Sequence, residues 1–202
     1  MLNAQYHLDS LAKTETIQRI YRTGYHITPA QVIDKSVNKT DNYFTLDRGT
    51  SDGVAPDMGV MGVDGVVGVV FKCTEHYSLV MTLLNSNNSI SCKVSGNNDI
   101  GYLQWQGGDP RYATLHDLPR YSNVTVGDTI VTSGNSSFFP EGIMVGTVEE
   151  KHHTTDGLYM NLKVLLSTQF VNLEHVFVVS KMDAEEIIEL HELLKPKKKK
   201  KK

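Results

Sequence analysis

The sequence predicts an all-β chain of about a dozen short strands in closed or sandwiched sheets, arranged as two units behind an N-terminal helix. Three observations carry this. Val, Ile and Thr contribute 48 of 202 residues, and β-branched side chains suit a pleated, half-buried surface. Turn signals built on Gly, Asn and Asp recur at short intervals, and one open sheet of so many strands would leave unpaired edges. Finally, Leu46-Asp47-Arg48-Gly49 leads to Pro56-Asp57-Met58-Gly59-Val60, much as Val131-Thr132-Ser133-Gly134 leads to Pro140-Glu141-Gly142-Ile143. In each, a strand ends in Gly, crosses a polar loop and restarts after Pro and an acid. That weak repeat points to two units.

The elements follow in order. Residues 1 to about 23 read as a helix, with Gly24 as its stop. Met1, Ala4, Leu8 and Leu11 keep coiled-coil spacing; Glu15 and Gln18 break it, and Ile17 and Ile20 resume on a shifted face. Two readings stand: a short amphipathic helix packed on its own domain, or the tail of a longer coiled coil. From Thr28 onward, Val32–Val37 and Tyr43–Asp47 form a pair around residues 39–42. Val60–Val63 and Val66–Val70 flank Asp64-Gly65, which predicts a type I′ hairpin with φ > 0 at both central residues. Leu79–Leu84, Ile90–Val94, Tyr102–Trp105, Thr129–Thr132 and Ile143–Val148 are the next strands. In Leu158–Leu166, Leu158, Met160, Leu162, Val164 and Leu166 share one face, the mark of a half-buried strand, and Asp156-Gly157 introduces it as a second hairpin. Val176–Ser180 closes the β region. Asp183–Leu194 reads as a short helix capped by Asp183 and stopped by Pro196.

Charge narrows the function. The formal net charge is -3, but seven of the twenty Lys and Arg are Lys195 and Lys197–Lys202. Residues 1–194 then carry 13 basic against 23 acidic groups, and so acidic a body repels phosphate backbones, which argues against nucleic-acid binding. The lysine run is either a lure for anionic surfaces, a solvating tail or an artificial addition. No stretch approaches the ~20 apolar residues of a membrane span, and no basic flank and apolar run mark a signal peptide; the chain as given reads as soluble. Cys73 and Cys92 are too few for a disulfide scaffold and read as one bridge in an oxidising compartment or as two small buried side chains.

Catalytic and metal patterns are weak. For a Ser-His-Asp triad the loop serines of interest are Ser133 and Ser136-Ser137, yet neither lies in a Gly-x-Ser-x-Gly elbow. His76, His116, His152 and His153 have no spacing that ties them to an Asp and a Ser. Cys73-Thr74-Glu75-His76 with Cys92, and His152-His153 with Asp156, each offer three ligands where a structural zinc needs four. No phosphate-binding Gly loop is present, and no cofactor is indicated. Glu149 and Glu150, adjacent in a strand, point to opposite faces. Trp105, Tyr102 and Tyr112 are candidate aromatics for an alternative reading as a glycan-binding module, and a serine hydrolase is a further alternative.

The runs Asn42–Val60 and Asp64–Val70 resemble the signature of the MreC rod-shape-determining family. The resemblance continues through His76–Asn85, Ile100–Asp109, Val126–Gly134 and Phe139–Gly146. Its motif residues here are Asp47, Arg48, Gly49, Gly53, Pro56, Gly59, Gly65 and Gly68, then Gly127, Asp128, Ser133, Gly134, Pro140, Gly142 and Gly146. The resemblance implies two small β-barrels, a chymotrypsin-like pair without catalytic residues, preceded by a coiled-coil helix whose self-association candidates are Leu8, Leu11, Ile17 and Ile20. It places the helix at residues 1–26, a first barrel at 27–75, a second at 76–181 with the barrels possibly discontinuous in the chain, and a short helix with a lysine-rich tail at 182–202. It further implies the periplasmic side of a bacterial inner membrane, a membrane-spanning segment absent from this sequence, and oxidising surroundings that would permit a Cys73–Cys92 bridge. No enzyme activity is implied. The implied role is a scaffold that self-associates as a homodimer or filament and positions wall synthesis. Its implied partners are the elongation penicillin-binding transpeptidase, its glycosyltransferase partner, MreD and MreB.

Overall fold

Alternation of inward apolar and outward polar side chains builds twelve strands in the computed structural model, which describes residues 20, 24–136, 138–155 and 157–181. In chain order they are β1 (Tyr25–Lys35), β2 (Asp41–Leu46), β3 (Gly59–Met61), β4 (Val66–Cys73), β5 (Ser78–Asn85) and β6 (Ile90–Val94). There follow β7 (Ile100–Gln104), β8 (Tyr112–Pro119), β9 (Thr129–Thr132), β10 (Met144–His153), β11 (Tyr159–Leu166) and β12 (His175–Lys181). Two closed six-stranded barrels result, ringed β1-β12-β3-β4-β5-β2 and β10-β11-β8-β7-β6-β9, with every pair antiparallel. Closure leaves no unpaired sheet edge in either ring.

The rings are the same ring. Starting the first at β12 gives β12-β1-β2-β5-β4-β3, and starting the second at β6 gives β6-β7-β8-β11-β10-β9. Each contains a Greek key, and the first barrel is a circular permutation of the second. Consequently β2–β3 corresponds to β8–β9, and the repeat seen in the sequence, which aligns β2–β3 with β9–β10, joins non-equivalent strands. It reflects shared turn chemistry.

Several expectations need correction. The split at 75/76 does not hold: β5 and β12 belong to the first barrel, which the chain enters twice, and the second occupies 90–166. β1 starts at Tyr25, inside the expected helical segment, because its first half pairs with β12 and its second half with β2 around a bulge. The Asp64-Gly65 hairpin is present but is not type I′: Asp64 lacks a positive φ, and the Gly62 N–H donates to the Gly65 carbonyl across a wider loop. Strand β8 had no clear alternation in the sequence, since a bulge between Leu115 and Leu118 breaks it. Leu158 is exposed just before β11, while Met160, Leu162, Val164 and Leu166 are buried as expected. Of the expected N-terminal helix, Leu8, Leu11 and Ile17 lie outside the described residues, as does the whole 182–202 segment. Ile20 is helical and 2% exposed, a member of this chain's own core, so its side chain is not on an open self-association face. Gly24, at φ 79, has the left-handed backbone of a helix stop.

The two barrels meet along a seam. The backbone of Gly59 presses on Phe138 and the ring of Phe139, whose side chain is fully buried. The Thr168 hydroxyl donates to the Val66 carbonyl at 2.8 Å. The β11–β12 crossover is pinned to the first barrel by Phe170, edge-on to Phe44 at 6.2 Å, and by the Lys35 ammonium donating to the carbonyls of Val171 and Leu173. Covered on both faces, β4 reads Val66-Val67-Gly68-Val69-Val70, a continuous buried run.

Candidate functional site

The motif residues build turns. After β2, the Asp47 carboxylate accepts from the Gln31 N–H at 2.7 Å and from the Arg48 guanidinium at 3.0 Å. Asp52 accepts from the Gly49 N–H, and Gly53 closes this 3-10 turn at φ 79. The turn is laid on the β4–β5 hairpin, since the N–H groups of Thr50 and Ser51 donate to the carbonyls of Thr74 and Glu75. A Cβ on Gly49 would lie 2.4 Å from the Thr74 carbonyl oxygen, so only Gly fits there. Pro56 and Asp57 are the central residues of a turn closed from Met58 to Ala55, with Asp57 at φ 69, the type II arrangement that Pro favours. Gly59 and Gly65 face the seam, and Gly68 passes against the Met81 carbonyl.

The second motif set does the same in the other barrel. Asp128 accepts from the Thr125 N–H at 2.8 Å and hydroxyl at 2.7 Å, which lower its pKa in that order of weight, and Gly127 supplies φ 94. The Ser133 hydroxyl contacts Ser91 Oγ at 2.7 Å and accepts from the Asn135 N–H. Gly134 and Gly142 have positive φ, and Gly146 runs against the Leu165 carbonyl. Beside Pro140, the buried Thr132 hydroxyl donates to the Pro140 carbonyl at 2.6 Å and accepts from the Ile143 N–H at 2.9 Å. Thr132→Val strips both buried groups of their partner and is expected to cost about 2 kcal/mol, measured as a lower urea midpoint at unchanged slope. The two motif sets sit in different turns and do not converge on one pocket.

Catalytic candidates fare differently. Among the described residues the Ser133 hydroxyl is bonded to Ser91 and to the Asn135 N–H, neither of them a histidine. Among the described residues the nearest approach to a triad is one the sequence did not suggest: Ser51 Oγ lies 3.5 Å from His76 Nδ1, with Glu75 3.8 Å from His76 Nε2. There the Ser51 proton is already given to the Glu75 carbonyl at 2.7 Å, and His76 and Glu75 are largely solvated. Contacts as long as these on a largely solvated ring do not make His76 an oriented base. His116 pairs with Gln106, and His152 with Glu150. Among the described residues no three of His, Cys, Asp and Glu are grouped to hold a metal; Asp156 lies outside them.

Both cysteines are free thiols, Cys73 half-buried at the end of β4 and Cys92 buried in β6 of the other barrel, so no bridge joins them in this structure. Burial raises both thiol pKa values, most strongly for Cys92. A thiol reagent is therefore expected to modify Cys73 slowly in the folded chain and Cys92 only after denaturation. Titration in denaturant without reductant should count two thiols; none would mean a bridge.

Among the aromatics, Trp105 is 3% exposed and donates to the Asp109 carbonyl, which removes it as a binding platform. Tyr112 is flanked by the cations of Arg111 and Lys163 at 5.4 and 4.7 Å. Arg111 holds the Asp109 carboxyl at about 2. Tyr102 stays half-exposed over open depressions lined also by Ser136 and His116, which the sequence flagged as triad candidates, and by Ser89, Gln104 and Asp117, which it did not flag. No sequence signal marks these last three, because their convergence depends on the bulge in β8. Among the described residues no helix is long and apolar enough to cross a membrane.

These features define a double Greek-key barrel protein whose most distinctive residues shape turns and the seam between the barrels. The family model of the rod shape-determining protein MreC, barrel core, matches residues 32–180. The cell shape-determining protein MreC of Listeria monocytogenes is 30% identical over 176 residues, 86% of this chain and 58% of that protein. MreC of Escherichia coli is 26% identical over 159 residues, 79% of this chain and 43% of that protein. A solved structure of Listeria MreC superposes with a TM-score of 0.73 at 28% identity, covering 90% of this chain and 92% of that one. A complex between penicillin-binding protein PBP2 and MreC from Helicobacter pylori contains the same fold, with a TM-score of 0.61 at 15% identity over 78% of this chain and 98% of that one. The chain belongs to the MreC family. It spans about half the length of the curated relatives it matches.

Proposed function

We propose that this chain is the periplasmic barrel region of a cell-shape scaffold, anchored in the inner membrane by another part of the protein, and that it acts by binding. It holds the elongation penicillin-binding transpeptidase and its glycosyltransferase partner in a productive arrangement. It self-associates, and it is coupled to MreD and MreB. The observation that carries this reading is the family match across both barrels, 32–180. The structural neighbour in complex with a penicillin-binding protein supports the choice of partner. The physics is that of an adaptor: a partner's state shifts only by its differential affinity for the scaffold.

A surface suited to this lies on the first barrel. Phe71 and Tyr77 are 42% and 51% exposed, and Phe71 packs against Tyr43 at 5.9 Å with Lys72 above its ring. Exposed aromatics held in place by neighbours are the side chains that anchor protein interfaces. The immobilised chain is expected to enrich the transpeptidase from detergent-solubilised membranes. Phe71→Ser with Tyr77→Ser should reduce that enrichment roughly tenfold or more, the loss of one hot spot. No enrichment by the wild-type chain would refute the partner.

A further inference from the structure

Two open depressions of about 460 and 380 Å³ lie on the outer face of β6, β7 and β8. Ser89 and Tyr102 line both, so they are the halves of one groove. Tyr102 is 51% exposed and stands in register between Ser91 of β6 and His116 of β8. The smaller half has an apolar floor, Ile100 and Phe138, beneath a rim of Ser91, Asn135 and Ser136. The larger half is polar throughout: Gln104, Gln106, His116 and Asp117. Among the described residues no Lys or Arg lines either half.

The polar half is held in place before any ligand arrives. Gln104 donates its amide to the Ser86 carbonyl at 2.7 Å, and Gln106 pairs with His116 at 3.2 Å. Asp117 has φ 63, the left-handed region, within strand β8, where the register against β11 slips. A bulge of this kind turns two successive side chains, His116 and Asp117, to the outer face. Such backbone is uncommon for a non-glycine residue and clusters at active sites and ligand clamps.

The lining selects a ligand class. Without a cation, and with the Asp117 carboxylate present, the groove disfavours anions. Backbone addition of a peptide strand is closed, because β7 is already paired on both sides. An exposed ring flanked by amides, hydroxyls and one carboxylate matches a pyranose, which has an apolar face and a belt of hydroxyls. The apolar floor with a hydroxyl and amide rim matches an acetamido group, its methyl inward and its N–H and C=O at the rim.

We propose that this groove binds a neutral N-acetylated hexosamine chain, one ring against Tyr102, an acetamido group over Ile100 and Phe138, and hydroxyls on Asp117 and Gln106. The assignment does not rest on the scaffold reading. Titration of the full chain with tetra-N-acetylchitotetraose, followed by ¹H–¹⁵N spectra, should move the amides of Ser91, Tyr102, Gln104 and Gln106, while cellotetraose, lacking acetamido groups, should not. Tyr102→Ala should weaken binding roughly five- to tenfold. Asp117→Gly relieves the backbone and so keeps the fold, yet should also weaken binding; Tyr121→Ala, 83% exposed and outside the groove, should bind as wild type. Silence at millimolar saccharide, shifts elsewhere on the chain, equal response to cellotetraose, or unaltered binding by Asp117→Gly would each overturn the assignment.

Discussion

Ending the chain at Glu174 is expected to unfold the first barrel while leaving the second intact. Among the described residues β12 is the element that joins β1 to β3 in the first ring. It pairs with β1 along Tyr25–Gln31 and buries Val176, Phe177, Val178 and Val179, each at most 2% exposed. At about 1.5–3 kcal/mol for each buried apolar side chain, their loss amounts to roughly 6–12 kcal/mol, comparable to the whole stability of a domain. The second barrel, complete between Ile90 and Leu166, loses no strand. Amide spectra of the shortened chain should keep dispersed peaks for residues 90–166 and lose those of 25–85. A dispersed first barrel would show that the ring does not need its twelfth strand. Loss of the second barrel instead would support the division at 75/76.

Gly59→Val should be among the most destabilising of the single substitutions considered. An added Cβ would lie 2.3 Å from the Phe138 carbonyl oxygen and 2.5 Å from the Phe139 ring. One obstacle is backbone and the other is a fully buried ring, so neither can swing aside. The cost should reach about 3 kcal/mol or more, the upper range of overpacking, or roughly 6–12 °C in Tm for a chain of this size. Phe139→Ala should cost about 3–5 kcal/mol by opening a cavity in the same seam. Because the two residues touch, the double variant should fall short of the sum. Gly53→Ala is the contrast: nothing lies within 4 Å of its Cβ position, and only its φ of 79 opposes the change, at about 1–2 kcal/mol. Calorimetry across the four variants separates steric from conformational cost. Equal Tm values for Gly59→Val and Gly53→Ala would contradict the packed seam.

Much of the architecture was legible locally. Ile90–Val94 and Thr129–Thr132 coincide with β6 and β9, and the alternation in β11 fixed which of its faces is buried. Gly53 and Gly134 were also legible as turn residues, whereas Gly59, Gly68 and Gly146 lie in strands pressed against their neighbours. Trp105 was not: an aromatic at the end of a strand pattern looks the same in sequence whether it faces solvent or core. Nor was β8, because a bulge inserts one extra residue and destroys the period-2 signal at Asp117.

By itself the sequence determined the strand-rich class, the turns and the family. Period and turn chemistry are properties of a few adjacent residues, and the family is carried by motifs of that length. Tertiary structure decided which strands close which barrel, where β12 returns, how the seam is packed and that a groove flanks Tyr102. Those outcomes turn on pairings between residues far apart in the chain, such as β1 with β12, and on whether a close approach like Gly59 on Phe139 can be packed. No local pattern encodes a partner it does not touch until the barrel closes.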